Sequence, residues 1–113
     1  MRTTFIPSSN TATNGVALGA TEDDVRVFKI LIGTPVNAGN VFVYSITNPV
    51  NGATTNIAAK ITLPTYSTTN INPGLYVVDF GPIGLPLPQG GNVIIDQTMN
   101  VTVLWELADN SQV

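Results

Sequence analysis

The chain has no cysteine and no histidine, and only 10% of its 113 residues are charged. The missing cysteine excludes a disulfide framework and thiolate metal sites, and leaves the redox compartment undetermined. The missing histidine removes the commonest general base and the commonest metal ligand. The only cations are Arg2, Arg26, Lys29 and Lys60. They are too few and too scattered to track a phosphate backbone, so no nucleic-acid partner is expected. No apolar run approaches a membrane span, so no membrane partner is expected either. The opening Met-Arg-Thr-Thr-Phe-Ile-Pro-Ser-Ser-Asn lacks the apolar stretch of a signal peptide, which predicts synthesis and use without Sec export. What remains is a Thr-, Asn- and Ser-rich polar surface with a net charge of −3. A chain of this size buries roughly 65% of its unfolded surface and can support one core unaided.

The clearest pattern lies between Met99 and Leu107. Met99, Val101, Val103, Trp105 and Leu107 alternate with Asn100, Thr102, Leu104 and Glu106. Period-2 alternation with β-branched and aromatic residues predicts a half-buried strand, central to a two-sheet domain. Its tryptophan, the only one in the chain, needs a partner for the indole N–H if buried.

Phe5 and Ile6, stopped by Pro7, form either a short first strand or an arm, and residues 8–15 are a small, polar loop. Val16 to Ala20 is a weak strand. The next strand, Val25 to Gly33, changes apolar parity between Val27 and Phe28, as a β-bulge or burial on both faces would require. Asn40 to Thr47 is a strand, and the reversal that follows holds Asn51-Gly52, which suits a hairpin. Asn56 to Leu63 alternates cleanly, with Ile57, Ala59, Ile61 and Leu63 inward. After a polar crossover at residues 65–72, Leu75 to Phe80 is a strand. Residues 81–91 carry three prolines and four glycines, which predicts no regular element, only a loop packed over an open end. Asn92 to Asp96 is a short strand. The expected fold is all-β: an antiparallel β-sandwich, jelly-roll or Ig-like, of about seven to eight strands. Residues 1–24 form an N-terminal arm or first strand plus polar loop, and residues 25–113 form the sandwich.

Catalytic chemistry is hard to build from this inventory. Asp79, Asp96 and Glu106 are the carboxylates available for a hydrolytic pair. Asp79 and Asp96 are more simply strand-end residues that bond turn amides. The serines sit in no nucleophile elbow. Thr21-Glu22-Asp23-Asp24 offers carboxylates to a cation but lacks the ligand spacing of a calcium loop, and reads as a solvated turn or helix cap. Gly81, Gly84, Gly90 and Gly91 precede a strand with no lysine nearby, so they are turn residues and not a phosphate cradle. Tyr44, Tyr66, Tyr76 and Trp105 could stack on a sugar, but Trp105 shares an apolar face and Tyr66 alone sits in a polar loop. No enzyme activity, metal or other cofactor is expected.

Two stretches carry a family likeness: LIGTPVNAGNVFVYS at 31–45 and NIAAKITLPTYSTTNINPGLYVVDFGPIGLPLPQGGNVIIDQTMNVTVLWE at 56–106. They combine a Gly-Thr-Pro-Val turn before a strand, a strand ending Asp-Phe-Gly, a Pro/Gly-rich loop ending Gly-Gly, and a final Val-Thr-Val strand. In these the chain resembles the small β-sandwich proteins that decorate or cement the capsids of tailed bacteriophages. The resemblance implies a virion part made in the host cytoplasm and bound to the outer capsid surface. Its partner would be the major capsid protein, with self-association into homo-oligomers. Such a protein gains affinity from many weak contacts. Phe5, Ile6, Ile83 and Leu85 are the expected capsid contacts, as apolar residues on an arm or in a loop. The alternative function is a carbohydrate- or receptor-binding module of a phage tail or fibre.

Overall fold

A computed structural model describes residues 1–6, 15–33, 39–49, 55–63, 76–97 and 99–108. Those residues form nine strands: β1 (Arg2–Ile6), β2 (Val16–Leu18), β3 (Val25–Gly33), β4 (Gly39–Tyr44), β5 (Ile57–Leu63), β6 (Tyr76–Asp79), β7 (Leu85–Leu87), β8 (Gly91–Ile95) and β9 (Asn100–Leu107). All strand pairs are antiparallel. One sheet runs β1-β9-β3-β6, with β7 also on β3, and the other runs β2-β8-β4-β5.

This order is that of a jelly roll. Four nested pairs, β1 with β9, β2 with β8, β3 with β6 and β4 with β5, make one long antiparallel hairpin. Rolling that hairpin up adds the pairs β3–β9 and β4–β8 and leaves two sheets face to face. The chain reverses between β4 and β5, where the Ser45 N–H donates to the Asn56 carbonyl at 2.7 Å. Asn56 sits at φ 65°, a conformation asparagine tolerates better than most residues. The Asn51-Gly52 dipeptide expected to make the turn lies outside the described residues.

β9 occupies the middle of its sheet, and its alternation matches its burial. Met99, Val101, Val103 and Trp105 are buried, while Thr102 and Leu104 are half-buried on the opposite side. In β3 the register shifts between Val27 and Lys29, so Phe28 is the extra residue of a bulge. The bulge places Val25, Val27, Ile30 and Ile32 all in the core. It also marks where the neighbour of β3 changes. Lys29–Ile32 pair with β6, and Val25–Val27 pair with β7. The chain between those strands turns back at Phe28, whose carbonyl accepts the Phe80 N–H at 2.9 Å. Gly84 makes this return with φ 82°, and a Cβ there would stand 3.1 Å from both the Phe28 ring and the Val27 carbonyl.

β7 corrects the expectation that residues 81–91 hold no regular element. Leu85–Leu87 form a three-residue strand on β3, with Leu87 fully buried and Pro86 exposed. Proline is tolerated because the strand is at an edge. The N-terminal alternatives are also resolved at Arg2–Ile6, which is a strand of the sandwich and not an arm. β2 belongs to the sandwich as well, through β8. β8 is buried at all five positions. Val93 and Ile95 face the core, while Asn92 and Ile94 are buried on the other side of the sheet.

Candidate functional site

The carboxylates considered for hydrolysis are spread over the molecule, and each has a structural partner. Asp79 Oδ1 accepts the Gly81 N–H at 2.8 Å, an Asx-type bond at the end of β6. Asp96 Oδ1 accepts the Asn40 backbone N–H at 2.6 Å and its Oδ2 accepts Asn40 Nδ2 at 2.8 Å. Asn40 Oδ1 in turn accepts the Thr62 hydroxyl, so the cluster ties β8, β4 and β5 together. Glu106 Oε2 lies 3.7 Å from the Met1 amino group. Asp79 and Glu106 stand on strands separated by β3, and Asp96 follows a strand of the other sheet. No two of them face each other across a cleft.

These geometries rank the effects of removing each charge. Asp79→Asn keeps its acceptor and should shift stability by less than about 0.5 kcal/mol. Glu106→Gln loses only an exposed ion pair and should cost less than about 0.5 kcal/mol. Asp96→Asn replaces one of two acceptors with a donor and should cost about 1 kcal/mol. Urea melts of the three variants check this order. A loss at Asp79 equal to that at Asp96 would contradict it.

At the acidic run, Asp23 makes a turn. Its carboxylate accepts the Ala20 N–H at 2.8 Å and its own N–H donates to the Ala20 carbonyl at 3.0 Å. Its carbonyl accepts the Gly90 N–H, which joins this turn to the start of β8. Among the described residues no cluster of His, Cys, Asp or Glu is arranged to hold a metal ion. Of the aromatics weighed for sugar stacking, Tyr44 and Trp105 are buried, Tyr76 packs against the core, and Tyr66 lies outside the described residues.

The surface feature that stands out is the outer side of the β1-β9-β3-β6 sheet. Cross-strand register aligns Phe5, Thr102, Leu31 and Val77 in one row across four strands. The next row holds Thr3, Leu104, Lys29 and Asp79, and the one after it Glu106, Arg26 and Pro86. Phe5 is 55% exposed and Val77 53%. Ile83, in the turn between β6 and β7, is 72% exposed, and its carbonyl accepts from Arg26 Nη1 at 3.4 Å. Met1, 69% exposed, precedes β1. These four are the exposed large apolar residues among those described, and all belong to this sheet, its edge turn or its leading end.

Two of the four expected contact residues therefore sit on this surface and two do not. Phe5 and Ile83 are exposed on it. Ile6 is fully buried opposite Val101, because odd and even positions of β1 point to opposite sides of the sheet. Leu85 is half-buried and packs against the core from β7. Val77 was not singled out from the sequence. The Tyr-Val-Val-Asp run could have flagged it, since alternation with inward Tyr76 and Val78 leaves Val77 outward.

Searches against protein-family models, curated proteins and solved structures found no match to this chain.

Proposed function

We propose that this protein is a structural part of a virion, a decoration or cement protein that binds the outer surface of a phage head. The observation that carries the proposal is that Phe5, Val77 and Ile83 are exposed on the outer side of one sheet or in its edge turn, with Thr3, Thr102 and the charges of Lys29, Asp79, Arg26 and Glu106 among them. Exposed apolar side chains gathered on one side of a small domain suit an interaction surface. Asp79 bonds a turn amide, Asp96 ties strands together and Glu106 makes an exposed ion pair, which suits a binding module better than a catalyst. The jelly roll itself serves viral capsid proteins and lectins alike, so it supports the reading only by analogy. On a shell, each copy would clamp neighbouring capsid subunits through modest contacts that repeat over the surface.

The test is cosedimentation with phage heads that lack the protein. The parent chain is expected to saturate the shell and to raise its resistance to heat. Val77→Asp and Ile83→Asp, both at exposed positions, should leave the melting temperature nearly unchanged and weaken binding at least about tenfold, as loss of an apolar contact of roughly 1.4 kcal/mol per site would do. Binding by both variants at parental strength would remove this face from the mechanism. Absence of binding, combined with retention on a glycan array, would favour the carbohydrate-binding module.

A further inference from the structure

We propose that β1 is the seam of a two-fold dimer, in which a second copy of this chain adds its own β1 antiparallel and extends the sheet. The proposal stands on the edges of the two sheets and does not depend on the capsid reading.

Edge strands expose unpaired backbone groups, and natural sheets blunt them with short length, charge or proline. Three of the four edges here are blunted in these ways. β2 has three residues. β5 carries exposed Lys60 at its middle. The β6–β7 edge is split by a turn, closes β6 on Asp79 after four residues, and has Pro86 in β7. β1 carries its one charge, the exposed Arg2, at its first position and not at its middle, and its remaining run Thr3-Thr4-Phe5-Ile6 has no charge, proline or glycine and is rich in strand-favouring residues. Among the described residues it pairs only with β9.

The strand is also self-complementary. Residues paired across two strands point to the same side of a sheet. A two-fold pair of identical strands must therefore be centred on a residue. Centring on Thr4 engages all five residues of β1. Thr4 then faces Thr4 of the partner subunit, Thr3 faces Phe5 of the partner subunit, and Arg2 faces Ile6 of the partner subunit. No like charges oppose each other, and Thr–Thr pairs are favourable across strands. On the outer side Phe5, 55% exposed in the single chain, becomes flanked by Thr102 on β9 and by Thr3 from the second copy.

The absence of cysteine makes the register directly testable. Thr3→Cys and Phe5→Cys proteins, mixed under mild oxidation, should form a disulfide-linked dimer. Either variant alone should give about tenfold less, because its two sulfurs would sit two positions out of register, beyond the roughly 7 Å Cα separation that a disulfide spans. A matched mixture of Ala58→Cys and Thr62→Cys on the β5 edge should not cross-link above background. Sedimentation equilibrium of the unmodified chain should show a concentration-dependent dimer. A monomer at all concentrations would overturn the proposal. So would equal cross-linking by Thr3→Cys alone, or preferential cross-linking through β5. Cross-linking seen only in the presence of phage heads would also overturn it, since the two copies would then meet only where the shell holds them side by side. Because the decisive measurements use the purified chain alone, their failure leaves head binding untouched, and the reverse holds as well.

Discussion

Trp105→Ala should lower stability by about 3–5 kcal/mol, a large share of the roughly 5–15 kcal/mol that holds a domain of this size together. Trp105 is only 5% exposed and lies on the inner side of β9. It is held by more than packing. Its Nε1–H donates to Thr4 Oγ1 at 2.8 Å, and the Arg2 guanidinium lies 5.4 Å from the ring centroid. Both partners come from β1, so the indole joins the first strand to the last. Its native fluorescence should be blue-shifted and should move to the red on unfolding. Thr4→Val separates the hydrogen bond from the volume. It keeps the shape but strands the indole N–H, and should cost about 1–3 kcal/mol. The same substitution in a Trp105→Phe background should cost clearly less, since no indole donor remains. Equal costs in the two backgrounds, measured by urea melts, would show that the Thr4–Trp105 bond contributes nothing. A native emission maximum like that of free tryptophan in water would contradict the burial itself.

Deletion of residues 1–6 should abolish cooperative melting. Ile6 is fully buried, and truncating such a side chain to alanine typically costs about 2–5 kcal/mol by itself. The deletion also removes the Thr4 partner of Trp105 and turns β9, the central strand of its sheet, into an edge. Together these losses reach the expected stability of the whole domain. Circular dichroism and calorimetry on the truncated chain provide the measurement. A sharp transition near the parental melting temperature would mean that β1 is an appendage. The exposed Phe5 provides the contrast, because Phe5→Ser should change stability far less than Ile6→Ser although the residues are adjacent.

That contrast shows why the exposed apolar surface was only partly legible in the sequence. Phe5 and Ile6 were both expected to be contacts because each is apolar and both stand before a polar stretch. Alternation guarantees that they point to opposite sides of a strand. A five-residue strand with threonines at three and four has no internal signal for which side is the core. Pairing with β9 settles it, by setting Ile6 opposite Val101 and Phe5 opposite Thr102. The row from Phe5 to Val77 was hidden for the same reason, since its members are drawn from four strands and meet only through register. Asp79 shows the opposite case. Its role needs only the amide of Gly81, two residues on, and a local bond of that kind can be read from the order of residues.

By itself the sequence determined the features that depend on neighbours in the chain. These are the all-β class, the faces of β5 and β9, the parity break that becomes the bulge at Phe28, and the turn roles of Gly81, Gly84 and Gly90, all with positive φ. Each follows from side-chain alternation or from backbone sterics within a few residues. The tertiary structure alone decided the jelly-roll order over an Ig-like one, the pairing that recruits Leu85–Leu87 as a strand despite Pro86, the place of Arg2–Ile6 within the sandwich, and which outer face keeps its apolar residues exposed. The physical reason is that strands bond to other strands. Periodicity tells which residues share a side, but the partner that covers that side, or leaves it bare, comes from a distant part of the chain.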